Sequence, residues 1–118
     1  MIRGDVLDAN CPSRVVLDRI ADKWTALVIR ALRDKTLRYS ELHRRIGGVS
    51  QKMLTQTLRD LERDGLLARR VHPVVPPKVE YSLTKLGRSL EAPLDEICRW
   101  AERHLAEMLE ARRRNASD

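Results

Sequence analysis

Apolar residues recur at helical spacing along most of this chain, with one stretch in which they alternate instead. Val15, Val16, Leu17 and Ile20 fall on helical spacing and predict a short helix over residues 12–21, with Pro12 suited to its first turn. Asp22-Lys23 breaks it. Trp24, Leu27, Val28, Ala31 and Leu32 then mark a second helix with an i, i+3, i+4 stripe. Thr36 to Tyr39 reads as a short extended link, and Ser40 as the N-cap of a third helix through Ile46, ended by Gly47-Gly48. Ser50 caps a fourth helix that runs to about Asp64 and stops at Gly65. Two short helices joined by a tight glycine-containing turn make a helix-turn-helix.

The period then changes from 3.6 to 2. Leu67, Arg69 and Val71 alternate with Ala68, Arg70 and His72, and after Val74-Val75-Pro76-Pro77 a second run alternates from Lys78 to Leu83. This predicts a two-stranded hairpin with a proline-containing tip, where lost ladder bonds cost little. Thr84 caps a last segment with a single apolar stripe from Leu86 to Leu109, in which Pro93 must start a new helix or kink the one it lies in. The fold class predicted is mostly α with a small β-hairpin (α+β), a winged helix-turn-helix with added terminal helices. Residues 1–10 are a flexible arm and 11–111 a single domain. Within it the recognition helix spans about 50–64, the wing about 67–83 and the terminal helix about 84–111; 112–118 is a frayed basic tail.

Composition narrows the function. The 118 residues carry 23 Lys and Arg against 17 Asp and Glu. All of the positive excess lies between Lys23 and Tyr81, where a net charge of about +7 suggests a polyanionic partner, nucleic acid being the commonest. The longest strongly apolar stretch, Trp24 to Ile29, is far short of the ~20 residues that span a bilayer. The N-terminus lacks the apolar core of a signal peptide. Cys11 and Cys98 stand far apart with no CxxC, and His43, His72 and His104 have no metal-ligand spacing. Phosphate-binding loops and nucleophile-elbow motifs are absent from the sequence. The expectation is a protein of the cytoplasm, nucleoid-associated when bound to DNA, with no enzymatic activity, no metal, no cofactor and no membrane partner.

The fourth helix carries the chemistry. At 100° per residue, Met53, Leu54, Thr57, Leu58 and Leu61 gather on one side, and Lys52, Thr55, Gln56, Arg59 and Arg63 on the other. Arg and Lys can pair with guanine, Gln with adenine, and Thr or Ser with phosphate or a thymine methyl. The plain alternative is an amphipathic helix with a wet face, but such a face normally intersperses acids. Here Asp60, Glu62 and Asp64 sit at the C-terminal flank, away from the turns that enter a groove first. The predicted reading set is Ser50, Gln51, Lys52, Thr55, Gln56, Arg59 and Arg63, although Ser50 also serves as cap. Arg70, His72 and Lys78 of the wing and Ser40, Arg44 and Arg45 of the third helix are predicted backbone contacts. Arg69 is set aside because it shares its face with Leu67 and Val71.

The run from Ile46 to Leu66, IGGVSQKMLTQTLRDLERDGL, resembles the HxlR-type family of bacterial winged helix-turn-helix regulators. So does VPPKVEYSLTKLGRSL, Val75 to Leu90, together with Cys11-Pro12 and Lys23-Trp24. The resemblance covers about residues 11–103. It implies a homodimeric transcription factor, more simply a repressor in so small a protein, on a double-stranded inverted-repeat operator. The fourth helix would enter the major groove, with the terminal helices forming the dimer interface. A long apolar stripe exceeds what a small core needs, which agrees; Leu94, Ile97, Trp100, Leu105, Met108 and Leu109 are the interface predicted. Some members sense oxidants or electrophiles through a cysteine near the N-terminus, and Cys11 is similar in position. A helix N-terminus favours thiolate; the plain alternative is a small residue packed at the interface. Cys98, on the apolar stripe, reads as an inert core thiol. Two other readings stay open: a MarR-like or PadR-like regulator with a small-molecule effector, and a winged helix that binds protein rather than DNA.

Overall fold

The computed structural model describes residues 5–116. Its elements in chain order are α1 (Ser13–Ala21), α2 (Lys23–Ala31), β1 (Leu37–Arg38), α3 (Tyr39–Arg45), α4 (Gln51–Arg63), β2 (Leu67–His72), β3 (Lys78–Leu83), α5 (Lys85–Ser89) and α6 (Glu91–Arg114). This is a winged helix, with α3 and α4 as the helix-turn-helix and β2–β3 as the wing. Gly48, at φ 82°, allows the turn between those helices, and Gly65, at φ 79°, ends α4.

The predicted hairpin is present but belongs to a three-stranded sheet of order β1-β3-β2, antiparallel throughout. β3 is central: Leu37 stands opposite Tyr81 and Arg38 opposite Glu80, while Leu67 pairs with Leu83 and His72 with Lys78. A two-residue strand is too short to show a period, so the sequence gives only an extended link there. Its end also moves the start of α3. Arg38 is the N-cap, its backbone N–H donating to the Glu41 carboxylate at 2.8 Å, and Ser40 lies inside the helix rather than capping it.

The core is built from Val28, Ile29, Leu32, Leu42, Ile46, Leu54, Leu58, Leu61, Leu66, Leu67, Leu83 and Leu94. α2 is capped by Asp22, whose side chain accepts from Trp24 N at 2.8 Å. Its buried stripe is Thr25, Val28, Ile29 and Ala31, so the face is rotated from the predicted one and Leu27 looks outward. α1 is the larger departure. None of its residues is buried, and Val15, Val16 and Leu17 all face solvent.

The C-terminal segment breaks at Leu90 into α5 and α6, so Pro93 falls in the first turn of a new helix, where its missing N–H costs nothing. The foot of α6 is fastened to the end of α2 and the turn that follows it. Arg33 pairs with Asp95 at 2.7 Å and Glu91 at 3.4 Å, and Arg30 reaches Asp95 at 3.7 Å. Leu94 is buried in the protein's own core, which removes it from the predicted dimer surface. Ile97, Trp100, Leu105, Met108 and Leu109 remain exposed along the rest of the helix. Cys98 is half-buried rather than a core thiol.

At the ends, residues 5–10 of the predicted arm form hydrogen-bonded turns. Asp8 N donates to Asp5 O at 2.9 Å, and Arg14 Nε reaches back to Val6 O at 3.0 Å. The first four residues of the arm lie outside the described residues. The tail predicted as frayed from Arg112 is helical through Arg114, and its last two residues lie outside the described ones.

Candidate nucleic-acid interface

α4 is held from behind and presented from the front. Leu54, Thr57, Leu58 and Leu61 are buried, which fixes the rotation of the helix. Met53, predicted with them, sits at the margin of that face and is exposed, because at 100° per residue it lies roughly 90° round the helix from the centre of the buried row. Ser50 Oγ accepts from Met53 N at 3.1 Å, so Ser50 does act as cap, and it is itself exposed.

The opposite face gathers five of the seven predicted reading residues. Gln51, Lys52, Thr55, Gln56 and Arg59 line one open cleft of ≈ 490 Å³. The sixth lining residue, Tyr39 of α3, is one that sequence reasoning did not place at the site. Its hydroxyl donates to Gln51 O at 2.9 Å and stands 3.1 Å from Thr55 Oγ1, and its ring stacks on His43 with 6° between planes. The signal was available: a tyrosine at the start of the helix that precedes the recognition helix has one polar atom to satisfy, and the nearest polar surface is α4.

A second cleft continues toward the sheet, lined by Tyr39, Thr55, Leu58, Arg59, Glu62, Arg69 and Tyr81. Arg69, set aside in the sequence, therefore borders the recognition helix. The strand face that buries Leu67 is the face that lies against α4, and at its outer end that same face carries Arg69 into the crease. Of the other wing residues, His72 and Lys78 are both committed to Glu80. His72 Nε2 lies against the Glu80 carboxylate, though not aligned as a hydrogen bond, and Lys78 Nζ is 3.7 Å away. Neither Arg69 nor Arg70 is ion-paired among the described residues.

The remaining predicted residues scatter. Arg63 lies past the clefts and leans on Asp60 at 3.7 Å, its side chain 72% exposed. Ser40 and Arg44 are exposed on α3. Arg45 borders a different groove with Leu27 and Arg30 of α2. Two acids at the end of α4 are occupied too: Arg19 of α1 pairs with Asp60 at 3.1 Å and with Asp64, the residue that follows the helix, at 2.6 Å. Those contacts, the Asp64 hydrogen bond foremost, raise the Arg19 guanidinium further above its ordinary value. The first cleft thus has no acid in its lining, although Gln56 donates to Asp60 at 3.0 Å and Glu62 borders the second cleft; donors predominate, the charge pattern an anionic backbone favours.

Cys11 is 7% exposed, just ahead of α1, with its backbone N–H donating to Asp8 O at 3.0 Å. Among the described residues no cluster of His, Cys, Asp and Glu could hold a metal ion, and no helix is long and apolar enough to cross a membrane.

Comparison with known proteins agrees with this arrangement. A family model described as HxlR-like helix-turn-helix matches residues 19–109. The HTH-type transcriptional regulator YtfH of Escherichia coli K12 is 46% identical over 114 residues, covering 97% of this chain and 90% of YtfH. A solved structure of the ytfH transcriptional regulator from Salmonella typhimurium superposes with a TM-score of 0.84 at 46% identity, covering 94% of this chain and 99% of that one. The redox regulator HypR, solved in its oxidized form, gives a TM-score of 0.71 at 42% identity over 78% of this chain and 95% of its own.

Proposed function

The chain belongs to the HxlR-like helix-turn-helix family of transcriptional regulators, and from that premise we propose that it is a repressor that binds an inverted-repeat operator as a homodimer. The observation that carries the reading is the donor-rich face of α4, whose nearest acids, Asp60 and Glu62, stand toward its C-terminal end. Gln51, Lys52, Thr55, Gln56 and Arg59 gather in one cleft on a helix whose reverse face is locked in the core. In this reading Gln56 and Arg59 meet base edges, while Lys52, Arg69 and Arg70 meet phosphates on either side. Ser40, Arg44 and Arg63 supply at most peripheral backbone contacts, and Arg45 supplies none.

The homodimer is supported by the apolar side chains that the chain leaves uncovered on α1 and α6: Val15, Val16 and Leu17 on one, Trp100, Leu105 and Met108 on the other. Two-fold symmetry would set the recognition helices about 34–36 Å apart, or a multiple of that, across a palindrome. Repression is the simpler mode because a dimer lying on the operator would by itself exclude polymerase.

The test is binding to the promoter beside the protein's own gene, with competitor DNA, across a salt series. Competitor-resistant binding with a steep salt slope is expected. Weak binding, equal on all sequences, would remove the operator from the reading.

A second reading concerns the signal. HypR is a redox regulator by name, and Cys11 stands just ahead of a helix N-terminus. Cys11 as oxidant sensor predicts that oxidant releases the DNA and that Cys11→Ser abolishes the release. The thiol is buried, so reaction would require the turns of residues 5–12 to open. A Cys11→Ser protein that still responds would exclude it.

A further inference from the structure

Asp60 stands where two helices and one reading side chain meet. Its Oδ2 accepts from Arg19 Nη1 at 3.1 Å, and Arg19 is held in place by a second bond, Nε to Asp64 Oδ2 at 2.6 Å. Its Oδ1 accepts from Gln56 Nε2 at 3.0 Å, one helical turn back along α4. An ionised carboxylate only accepts hydrogen bonds. The nitrogen end of the Gln56 carboxamide must therefore face Asp60, which leaves Oε1 and the second amide hydrogen free at the cleft.

The direction matters for reading DNA. A glutamine meets adenine by donating to N7 and accepting from the N6 amino group, whereas a carboxamide free to turn over can also donate to guanine or thymine, or accept from cytosine. Without Arg19, Asp60 would keep only the largely exposed Arg63, 3.7 Å from Oδ1, and would be free to swing toward it and away from Gln56. We propose that Arg19 of α1 is a positioning residue for base reading: it clamps Asp60, and through Asp60 fixes which way the Gln56 carboxamide faces. The inference rests on the DNA-binding reading above and adds to it that α1, a helix that reads no base, sets the specificity at one base pair in each half-site. Because α1 also carries the uncovered apolar face, its placement against a second copy is coupled to that base pair.

The experiment is selection of bound duplexes from a pool with about 20 randomised base pairs, using the full chain as wild type, Gln56→Ala, Arg19→Gln, Arg19→Lys and Asp60→Asn. Thermal unfolding of each protein is measured alongside. Wild type is expected to select a two-fold consensus, and Gln56→Ala to lose preference at one base pair per half-site. Arg19→Gln and Asp60→Asn are expected to lose discrimination at that same pair, by about 5- to 150-fold, the range for one bidentate base contact. Preference elsewhere should be retained. Arg19→Lys keeps the charge without the fork, so it should recover part of the preference. Arg19→Gln combined with Gln56→Ala should lose no more than Gln56→Ala alone. An unchanged Arg19→Gln consensus, or one loosened evenly at every position, would overturn the inference while leaving the DNA-binding reading intact. A wild type that selects no consensus would overturn both. Should Arg19→Gln fail to fold, Asp60→Asn carries the comparison, and an unchanged consensus there overturns the inference equally.

Discussion

At Gly87 the backbone leaves no room for a side chain. A Cβ there would stand 2.1 Å from Leu66 O and 3.1 Å from Leu66 C, both main-chain atoms that cannot swing aside. Leu66 O also accepts from Thr84 N at 3.1 Å, so shifting it would disturb the start of α5 as well. Gly87→Ala is expected to destabilise the protein by about 3 kcal/mol, at the upper end for overpacking, read as a lower urea midpoint. Arg59 is a residue of the opposite kind, free and at the cleft. Arg59→Ala should cost about 1–3 kcal/mol on the selected sequence and less on random DNA, measured by anisotropy titration of both; equal losses would assign Arg59 to phosphate. Much of this scale was legible from spacing alone, since the 100° projection separates Leu54, Leu58 and Leu61 from Gln56 and Arg59. Contacts between elements were not. Tyr39 on Thr55, Arg19 on Asp60, and Leu94 in the home core each depend on how one helix is docked on another, which no single helical pattern encodes.

Among the elements, α4 and the wing make separable demands. Ser50 supplies the one side-chain acceptor at the start of α4, so Ser50→Ala should cost about 1 kcal/mol of stability. It should weaken DNA binding only through fraying of the first turn, where Gln51 and Lys52 stand; thermal unfolding and binding measured on the same sample distinguish the two effects. In the wing, Glu80 already holds His72 and Lys78. Arg70→Ala should therefore lower affinity nearly equally on all sequences and reduce the salt slope by about 1, whereas Lys78→Ala should do less. The hairpin was legible because six residues of alternation on each side exceed chance. β1 escaped because two residues show no period. Arg69 escaped for a different reason. Alternation identifies which residues share a face but not that the inner face runs out from the core to the edge of the recognition helix.

The dimensions of the whole molecule bear on what α6 is for. Its radius of gyration is 17.2 Å with extents of 57 × 39 × 24 Å, against about 13–14 Å for a compact domain of this length. The accessible surface of 8970 Å² likewise exceeds the roughly 6,500 Å² of a typical folded monomer of 13.6 kDa. Both excesses agree with a long α6 whose outer turns lie clear of the core, with Trp100, Leu105 and Met108 facing solvent. The sequence reading, that the apolar stripe outlasts the core, stands on the same residues apart from Leu94. The stripe argument did not extend to α1, which entered the interface only as one of the terminal helices the resemblance implies; its apolar side chains are uncovered as well. If these faces meet a second copy, a charge placed on the stripe must separate the protomers without touching the fold, because nothing in the home core depends on it. Leu105→Asp is expected to sediment as a 13.6 kDa monomer with an unchanged unfolding cooperativity. It should retain weak, non-specific DNA binding and lose the operator, since one half-site no longer recruits the other. Leu94→Asp should instead unfold the domain. A Leu105→Asp protein that stays dimeric would move the interface off α6 and leave α1 as the surface to mutate next.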